Sequence, residues 1–132
     1  MIMTKSCIAL LTLVLTTALV IGCGAGHPTI QSVAVTPSTA TAASSSQGTV
    51  GFTATGNFSN HQSRMLVLAD GLSWQSSNIP VASINSLGMA TCKIPGTATI
   101  TATAPANLQF TIGSGVNNTS MTISGTAMLT CT

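Results

Sequence analysis

Few side chains in this sequence have types suited to acid–base chemistry. Asp70 is the only acidic residue of the chain, and the histidines are His27 and His61. General acid–base catalysis commonly uses paired carboxylates or a histidine that titrates near neutral pH. His27 falls in a short flexible stretch ahead of the first predicted strand, and His61 falls in a polar turn. No nucleophile-elbow motif singles out one serine as a nucleophile. The sequence therefore predicts a protein without catalytic activity.

The cysteines are the other residues with chemistry available to them. Cys7 stands directly before an N-terminal apolar run, Cys23 stands shortly after it, and Cys92 and Cys131 lie in the body of the chain. The N-terminal apolar run predicts export to an oxidising compartment, where an even pair of cysteines favours a disulfide. The sequence thus predicts a disulfide between Cys92 and Cys131.

The alternation of side chains along two strands is consistent with this disulfide. Cys92 shares a strand face with Ala90 and Ile94, and Cys131 shares one with Leu129. Both faces are apolar and are expected to point inward. One alternative is two separate buried thiols, each acting as a small hydrophobic group. A metal site needs further ligands, and no histidine stands near either cysteine, so no metal is expected there.

The N-terminal residues have the pattern of a secretory signal peptide. Lys5 precedes an apolar run from Ile8 to Ile21, and the small residue Gly22 follows it. The run has 14 residues, fewer than the roughly 20 that a helix needs to cross the hydrocarbon core. It therefore predicts a cleaved helical segment and not a membrane span.

The end of this run, Val20-Ile21-Gly22-Cys23, is similar to a bacterial lipobox. In that motif the cysteine is acylated and becomes the first residue of the mature chain, so Cys23 is the predicted lipid-attachment site. Each buried methylene contributes about 0.8 kcal/mol to membrane retention, which makes two or three acyl chains a firm anchor. Gly24 replaces the Asp that commonly retains Gram-negative lipoproteins at the inner membrane, so the resemblance implies the outer membrane or the cell surface. The alternative is cleavage elsewhere and a freely secreted product.

The residues after Gly22 have the composition of an extracellular β protein. Of these 110 residues, 33 are Ser or Thr, and the charged ones are Arg64, Asp70 and Lys93. Threonine is β-branched and suits a strand with one solvated face. So few charges form neither a basic face for nucleic acid nor an acidic face for cations. The sequence predicts no nucleic-acid partner and no cofactor.

Short alternating segments between turn residues predict an all-β chain. In the clearest of them, residues 97–103, Ala98, Ile100 and Ala102 face one way and the threonines face the other. Residues 39–47 are expected to form a loop or a weak edge segment. About seven to nine antiparallel strands with regular turns indicate an immunoglobulin-like β-sandwich. The other predicted strands are 30–36, 50–55, 72–75, 81–84, 89–94 and 126–132, with a hairpin of 108–112 and 119–123.

Five separated elements of this region resemble the bacterial Ig-like domain group 2. In chain order they are Val33-Ala-Val-Thr-Pro37, Trp74-Gln-Ser-Ser-Asn78, Val81-Ala-Ser-Ile84, Gly88 and Gly96-Thr-Ala-Thr-Ile-Thr-Ala102. The resemblance covers roughly residues 30–104 and implies an Ig-like sandwich with Trp74 in its core. Members of that family are modules of adhesins, surface layers and secreted enzymes, and the fold itself specifies no ligand.

Two stretches depart from the family pattern. Residues 107–124 stand before the last strand, where the family usually has a short connection, so an inserted hairpin or lengthened strands are expected. Asn60-His-Gln-Ser63 takes the place of the usual Asp-Gly. The predicted organisation is a lipoprotein signal peptide at 1–22, a flexible tether at 23–29, and an Ig-like domain with an extended C-terminal hairpin region at 30–132.

Together these predictions describe a non-catalytic, lipid-anchored bacterial envelope protein that acts in surface adhesion or ligand binding. Its expected partners are the membrane, through the N-terminal lipid, and a protein or polysaccharide ligand at the cell surface. The loops at 57–64 and 113–118 are the segments most open to binding. A second hypothesis is a structural spacer or subunit of an envelope assembly without a ligand, and a third is an enzyme or an enzyme accessory domain.

Overall fold

Strands occupy most of the chain that the structure, a computed structural model, describes, which is residues 27–108 and 121–132. The one helical segment of these residues is a 3-10 helix at Leu68–Asp70. The prediction of an all-β chain is thus confirmed. The predicted signal peptide and Cys23 lie outside the described residues. The ten strands are β1 (Ile30–Thr36), β2 (Thr39–Ala42), β3 (Thr49–Gly51), β4 (Thr53–Phe58), β5 (Ser63–Met65), β6 (Ser73–Ser76), β7 (Ala82–Ile84), β8 (Met89–Cys92), β9 (Gly96–Pro105) and β10 (Thr122–Cys131).

The strands form two packed layers. One layer is a four-stranded sheet in the order β2-β10-β9-β6. The other combines two three-stranded sheets, β1-β4-β5 and β3-β8-β7, which join at Phe52 because β3 and β4 are consecutive segments of the chain. Buried side chains from both layers belong to one hydrophobic cluster, with Ile100, Leu129 and Cys92 as the largest fully buried side chains. The predicted β-sandwich is confirmed.

One pairing differs from the all-antiparallel expectation. β2, in the segment expected to be a loop or weak edge, pairs in parallel with β10, with Ala40 opposite Leu129. The chain keeps the same direction through β1 and β2, and this is also the direction of β10. Val33 of β1 lies against Gly125, and the later residue Thr39 of β2 lies opposite the later residue Met128. The chain therefore crosses from one layer to the other while keeping its direction. Parallel pairing follows from that crossing.

The two longest strands, β9 and β10, have ten residues each and pair along their whole length. The terminal strand predicted at 126–132 begins earlier, at Thr122, and Ile123 pairs with Ala104 of β9. The reason is that the small, buried Gly125 continues the inward-facing alternation of β10 without a break. An inserted hairpin or lengthened strands are the two structures expected for residues 107–124, and the described part of this stretch has a lengthened strand. Residues 109–120, which carry most of the predicted hairpin, lie outside the described residues.

The two layers approach closely where β1 crosses β10. A Cβ at Gly125 would lie 2.2 Å from the carbonyl oxygen of Val33, so only glycine allows the two backbones this distance. Small side chains continue this close packing through the core. The buried alanines are Ala54, Ala82, Ala90, Ala98, Ala102, Ala104 and Ala127.

The sandwich has two distinct ends. The proximal end is where the chain enters β1: Ile30 pairs with Phe58, and its N–H donates to the carbonyl of Ala106 at 2.7 Å. The distal end is opposite and contains the turns at 43–48, 77–81 and 93–95. These turns are tied together by backbone hydrogen bonds, among them Lys93 N–H to the carbonyl of Val81 at 2.8 Å.

Candidate functional site

The predicted disulfide between Cys92 and Cys131 is present. The two Cα atoms lie 5.6 Å apart, and both side chains are buried. Because β8 and β10 belong to different layers, the bond ties one sheet to the other at the distal end. The predicted inward face holds for Ala90 and Leu129. It is wrong for Ile94, which is 50% exposed, because β8 ends at Cys92.

The titratable side chains predicted from the sequence are His27, His61 and Asp70, and each is placed by the structure. His27 is exposed ahead of β1, and His61 is exposed in the turn between β4 and β5, with a φ of 63°. Asp70 contacts neither histidine and is instead paired with Arg64. Within residues 27–108 and 121–132, no three His, Cys, Asp or Glu side chains come together as a metal site.

Arg64 and Asp70 form a bidentate ion pair at one edge of the sandwich. Nη1 of Arg64 donates to Oδ2 of Asp70 at 2.8 Å, and Nη2 donates to Oδ1 at 2.7 Å. The Asp70 side chain is 8% exposed and that of Arg64 is 49% exposed. The hydrogen bonds from Arg64 lower the pKa of Asp70 below its ordinary value, against the opposing effect of burial; the Val67 N–H and the charge of Arg64 lower it further.

This ion pair shapes the segment that connects β5 to β6. The N–H of Val67 donates to Oδ2 of Asp70 at 2.9 Å, and the N–H of Asp70 donates back to the carbonyl of Val67 at 2.9 Å. Nη1 of Arg64 also donates to the carbonyl of Met65 at 3.2 Å. Gly71, with a φ of 77°, then ends the 3-10 helix in the left-handed region. The segment is therefore held in one conformation by its own hydrogen bonds.

The side chains that this segment presents to solvent are apolar. Met65, Val67 and Leu68 are 59%, 50% and 58% exposed, and Leu87, from the turn between β7 and β8, is 79% exposed. We call these four side chains the apolar rim. They border a groove of about 160 Å³. The other side chains that line this groove are Phe52, Thr53, Ala54, Leu66, Leu72, Trp74 and Ser86.

Trp74 lies in this groove and is only half-buried. One part of the indole packs against the hydrophobic core, and Gly88 sits so close that a Cβ there would lie 3.1 Å from the ring. The other part lines the groove. The prediction that Trp74 lies in the core is therefore correct for the part of the indole that packs against the core, and wrong for the part that lines the groove. The reason is that β6 is the edge strand of its sheet.

Half of the loop predicted at 57–64 is strand. β4 runs to Phe58 and β5 begins at Ser63, which leaves a short turn between them. This turn lies at the proximal end, where Pro28 and Arg64 line the same small groove of about 120 Å³. The guanidinium carbon of Arg64 lies 5.5 Å from the centre of the Phe58 ring. The other predicted binding loop, 113–118, lies outside the described residues.

Sequence reasoning did not identify the apolar rim. The signal available was the short apolar run at residues 65–68, which is followed by Asp70-Gly71. Such a run is also compatible with a buried strand. The turn that presents these residues is held by the ion pair, and Leu87 joins them at the groove from a distant part of the chain; the local pattern contains neither fact.

Comparison with protein-family models gave no match, and comparison with curated proteins gave no significantly similar sequence. The resemblance to the bacterial Ig-like domain group 2 therefore stays a prediction. Among the described residues, no helix has the length and apolar character needed to cross a membrane. The described residues thus contain a disulfide-linked β-sandwich, an ion pair that holds a turn, and an apolar groove beside that turn.

Proposed function

We propose that this chain is a non-catalytic, lipid-anchored module of a bacterial envelope, with an Ig-like domain of the group 2 type, that acts in surface adhesion or ligand binding. The observation that carries the proposal is the short apolar leader ending in Gly22-Cys23, directly ahead of a domain closed by the Cys92–Cys131 disulfide. A structural disulfide suits a protein that folds in an oxidising compartment. The leader provides the route to such a compartment.

The two ends of the sandwich support a role in display. A lipid at Cys23 holds the proximal end near the membrane, so the distal end points away from it. The turns at the distal end carry the exposed Ile79 and Ile94 and the cationic Lys93. The disulfide lies at this same end and restrains the strands that support these turns. A rigid end with exposed side chains suits recognition of a protein or polysaccharide better than it suits a passive spacer.

Replacement of the acylated cysteine tests this proposal. In a bacterial host, we expect the wild type to enter the detergent phase and to carry an acyl group on Cys23, as found by mass spectrometry of the N-terminal peptide. Cys23→Ala is expected to stay unacylated and to move to the aqueous phase, because the lipid holds the chain. Cys7→Ala changes another cysteine of the leader and serves as the matched control, with wild-type partitioning.

Adhesion is measured with the same cells. Cells that display the wild type are expected to be retained on surfaces coated with polysaccharide or protein, and cells that produce Cys23→Ala are expected to be washed off. Unchanged partitioning of Cys23→Ala would show that the anchor is not at this cysteine. Correct partitioning with equal retention of both cell types would favour the structural spacer.

A further inference from the structure

We propose that the apolar rim docks on the lipid bilayer that carries the anchor, so that the domain lies against the membrane and its distal end is turned outward. The rim consists of Met65, Val67, Leu68 and Leu87, as defined above. This inference rests on the proposed lipid at Cys23 and adds a second membrane contact, made by the folded domain itself.

The composition of the rim suits acyl chains. Its four side chains are aliphatic or thioether groups, at least 50% exposed, and they surround a single groove. Single exposed apolar residues are common on protein surfaces, but a cluster of them marks an interaction site. Hot spots of protein–protein interfaces are rich in exposed Trp, Tyr and Arg. None of the four rim side chains is aromatic, and Trp74, which lines the groove, is less exposed than any of them. The rim therefore fits a lipid surface better than it fits a protein hot spot.

The charges beside the rim are compatible with this contact. Asp70 would be repelled by lipid phosphates if it were free, but its charge is balanced by Arg64 at 2.7 Å. The guanidinium of Arg64 is on the exposed side of the pair, directly before Met65 in the chain. The pair is neutral overall and does not repel lipid phosphates, so the apolar groups can enter the membrane beside it.

The length of the tether brings the rim within reach of the bilayer. Cys23 stands five residues before Pro28, and five residues span at most about 17 Å when fully extended. Pro28 lies in the same small groove as Arg64, and Met65 follows Arg64. A lipid on Cys23 therefore holds this edge of the sandwich close to the membrane surface. Because the bilayer is always near, it is favoured over a second copy or a soluble protein as the occupant of the rim.

The conformation of the rim is set before docking. The N–H of Val67 is bonded to Asp70, and Asp70 is bonded to Arg64, so the turn needs no rearrangement to present its side chains. A preorganised surface loses less conformational entropy when it binds. The rim also has a native reporter beside it, because the groove contains Trp74, the only tryptophan of the chain.

Quenching of Trp74 by brominated lipids tests the inference. The mature lipidated protein is reconstituted into phosphatidylcholine and phosphatidylglycerol vesicles, with or without bromine on the acyl chains. Apolar surfaces of this kind enter a bilayer by about 5–10 Å, so we expect quenching of roughly half of the wild-type emission. The double variant Val67→Ser/Leu68→Ser is expected to show little quenching. Met128→Ser changes an apolar residue of similar exposure, 53%, on the outer face of β10 in the other layer, and should behave as the wild type.

Flotation of the vesicles separates this inference from the proposed lipid anchor. We expect the wild type and both variants to float equally, because the acyl chains hold them, and to have the same melting temperature. A wild type that does not float would overturn the anchor and this inference together. A wild type that floats but is quenched no more than Val67→Ser/Leu68→Ser would overturn the rim contact alone. Rim-dependent cross-linking of two copies on the vesicles would assign the rim to a dimer and would also overturn it.

Discussion

At the scale of single residues, the fold of one surface turn depends on Asp70. It is the only acidic side chain of the chain, and it accepts hydrogen bonds from both Nη atoms of Arg64 and from the N–H of Val67. Because Arg64 is half-exposed, solvent screening keeps an ion pair of this kind at about 0.2–1 kcal/mol. The hydrogen bond from Val67 adds on the order of 1 kcal/mol. Asp70 thus makes a modest contribution to stability and a decisive one to the shape of the turn.

The stability of the fold is expected to depend on pH in the acid range because of Asp70. The pKa of Asp70 is lowered in the folded state, so its stabilising effect is present above its unfolded pKa of about 3.9 and is lost as the pH falls through the lower folded pKa. We expect the melting temperature of the wild type to fall below about pH 4. Asp70→Asn should be less stable by about 1 kcal/mol at neutral pH and should converge with the wild type in acid.

Thermal unfolding of both proteins from pH 7 to pH 2 checks this prediction. No other acidic side chain titrates in this range, so the difference between the two curves isolates Asp70. Curves that stay parallel down to pH 2 would show that the carboxylate contributes nothing to folding.

At the scale of elements, the close approach of β1 to β10 determines how the two layers meet. β10 pairs with β9 along ten residues and with β2 on its other side, while β1 lies across it. The backbone of β1 reaches β10 because Gly125 has no side chain. The same position also continues the inward alternation of β10, so Gly125 serves pairing within one layer and contact between layers.

We expect Gly125→Ala to lower the free energy of unfolding by at least about 2 kcal/mol, because the new Cβ meets the backbone carbonyl of Val33, which cannot move aside as a side chain can. Gly51→Ala is the matched control in strand β3. A Cβ there would lie 3.7 Å from the nearest atom, Cε of Met89, and should change stability by less than about 1 kcal/mol. Urea unfolding measures both, and equal effects would contradict the close approach.

At the scale of the whole molecule, the proximal and distal ends of the sandwich differ in structure and in their proposed roles. The chain enters at the proximal end, where Pro28 and Arg64 lie together. The disulfide between Cys92 and Cys131 joins the layers at the distal end. In the proposed function, the proximal end faces the membrane and the distal end presents its turns to the surroundings. In the further inference, the apolar rim joins the side that faces the membrane.

Loss of the disulfide is expected to destabilise the whole sandwich. The cysteines are separated by 39 residues, and closing a loop of that length is worth up to about 4 kcal/mol in the chain-entropy model. The double variant Cys92→Ala/Cys131→Ala should therefore melt at a lower temperature than the oxidised wild type. Reductant should lower the melting temperature of the wild type and leave the variant unchanged. An oxidised wild type with two titratable thiols would contradict this prediction.

The sequence by itself determined the class of the fold and the disulfide. The alternation of Ala98, Ile100 and Ala102 with threonines predicts a strand with one buried face, and the structure has that strand. Strand parity and an even count placed Cys92 and Cys131 on inward faces, where they are bonded. Both predictions succeed because the side-chain period of a strand is a local property, readable from a few consecutive residues.

Only the tertiary structure decided which elements meet. The parallel pairing of β2 with β10 and the half-burial of Trp74 at a sheet edge depend on the order of strands in each layer. The candidate site also depends on the tertiary structure, because Leu68 and Leu87 border one groove although they are far apart in the chain. The exposure of the apolar rim is likewise set by an ion pair across a turn and by the packing of two sheets. The physical reason is that contacts between distant segments carry no local pattern, so they exist only once the layers have assembled.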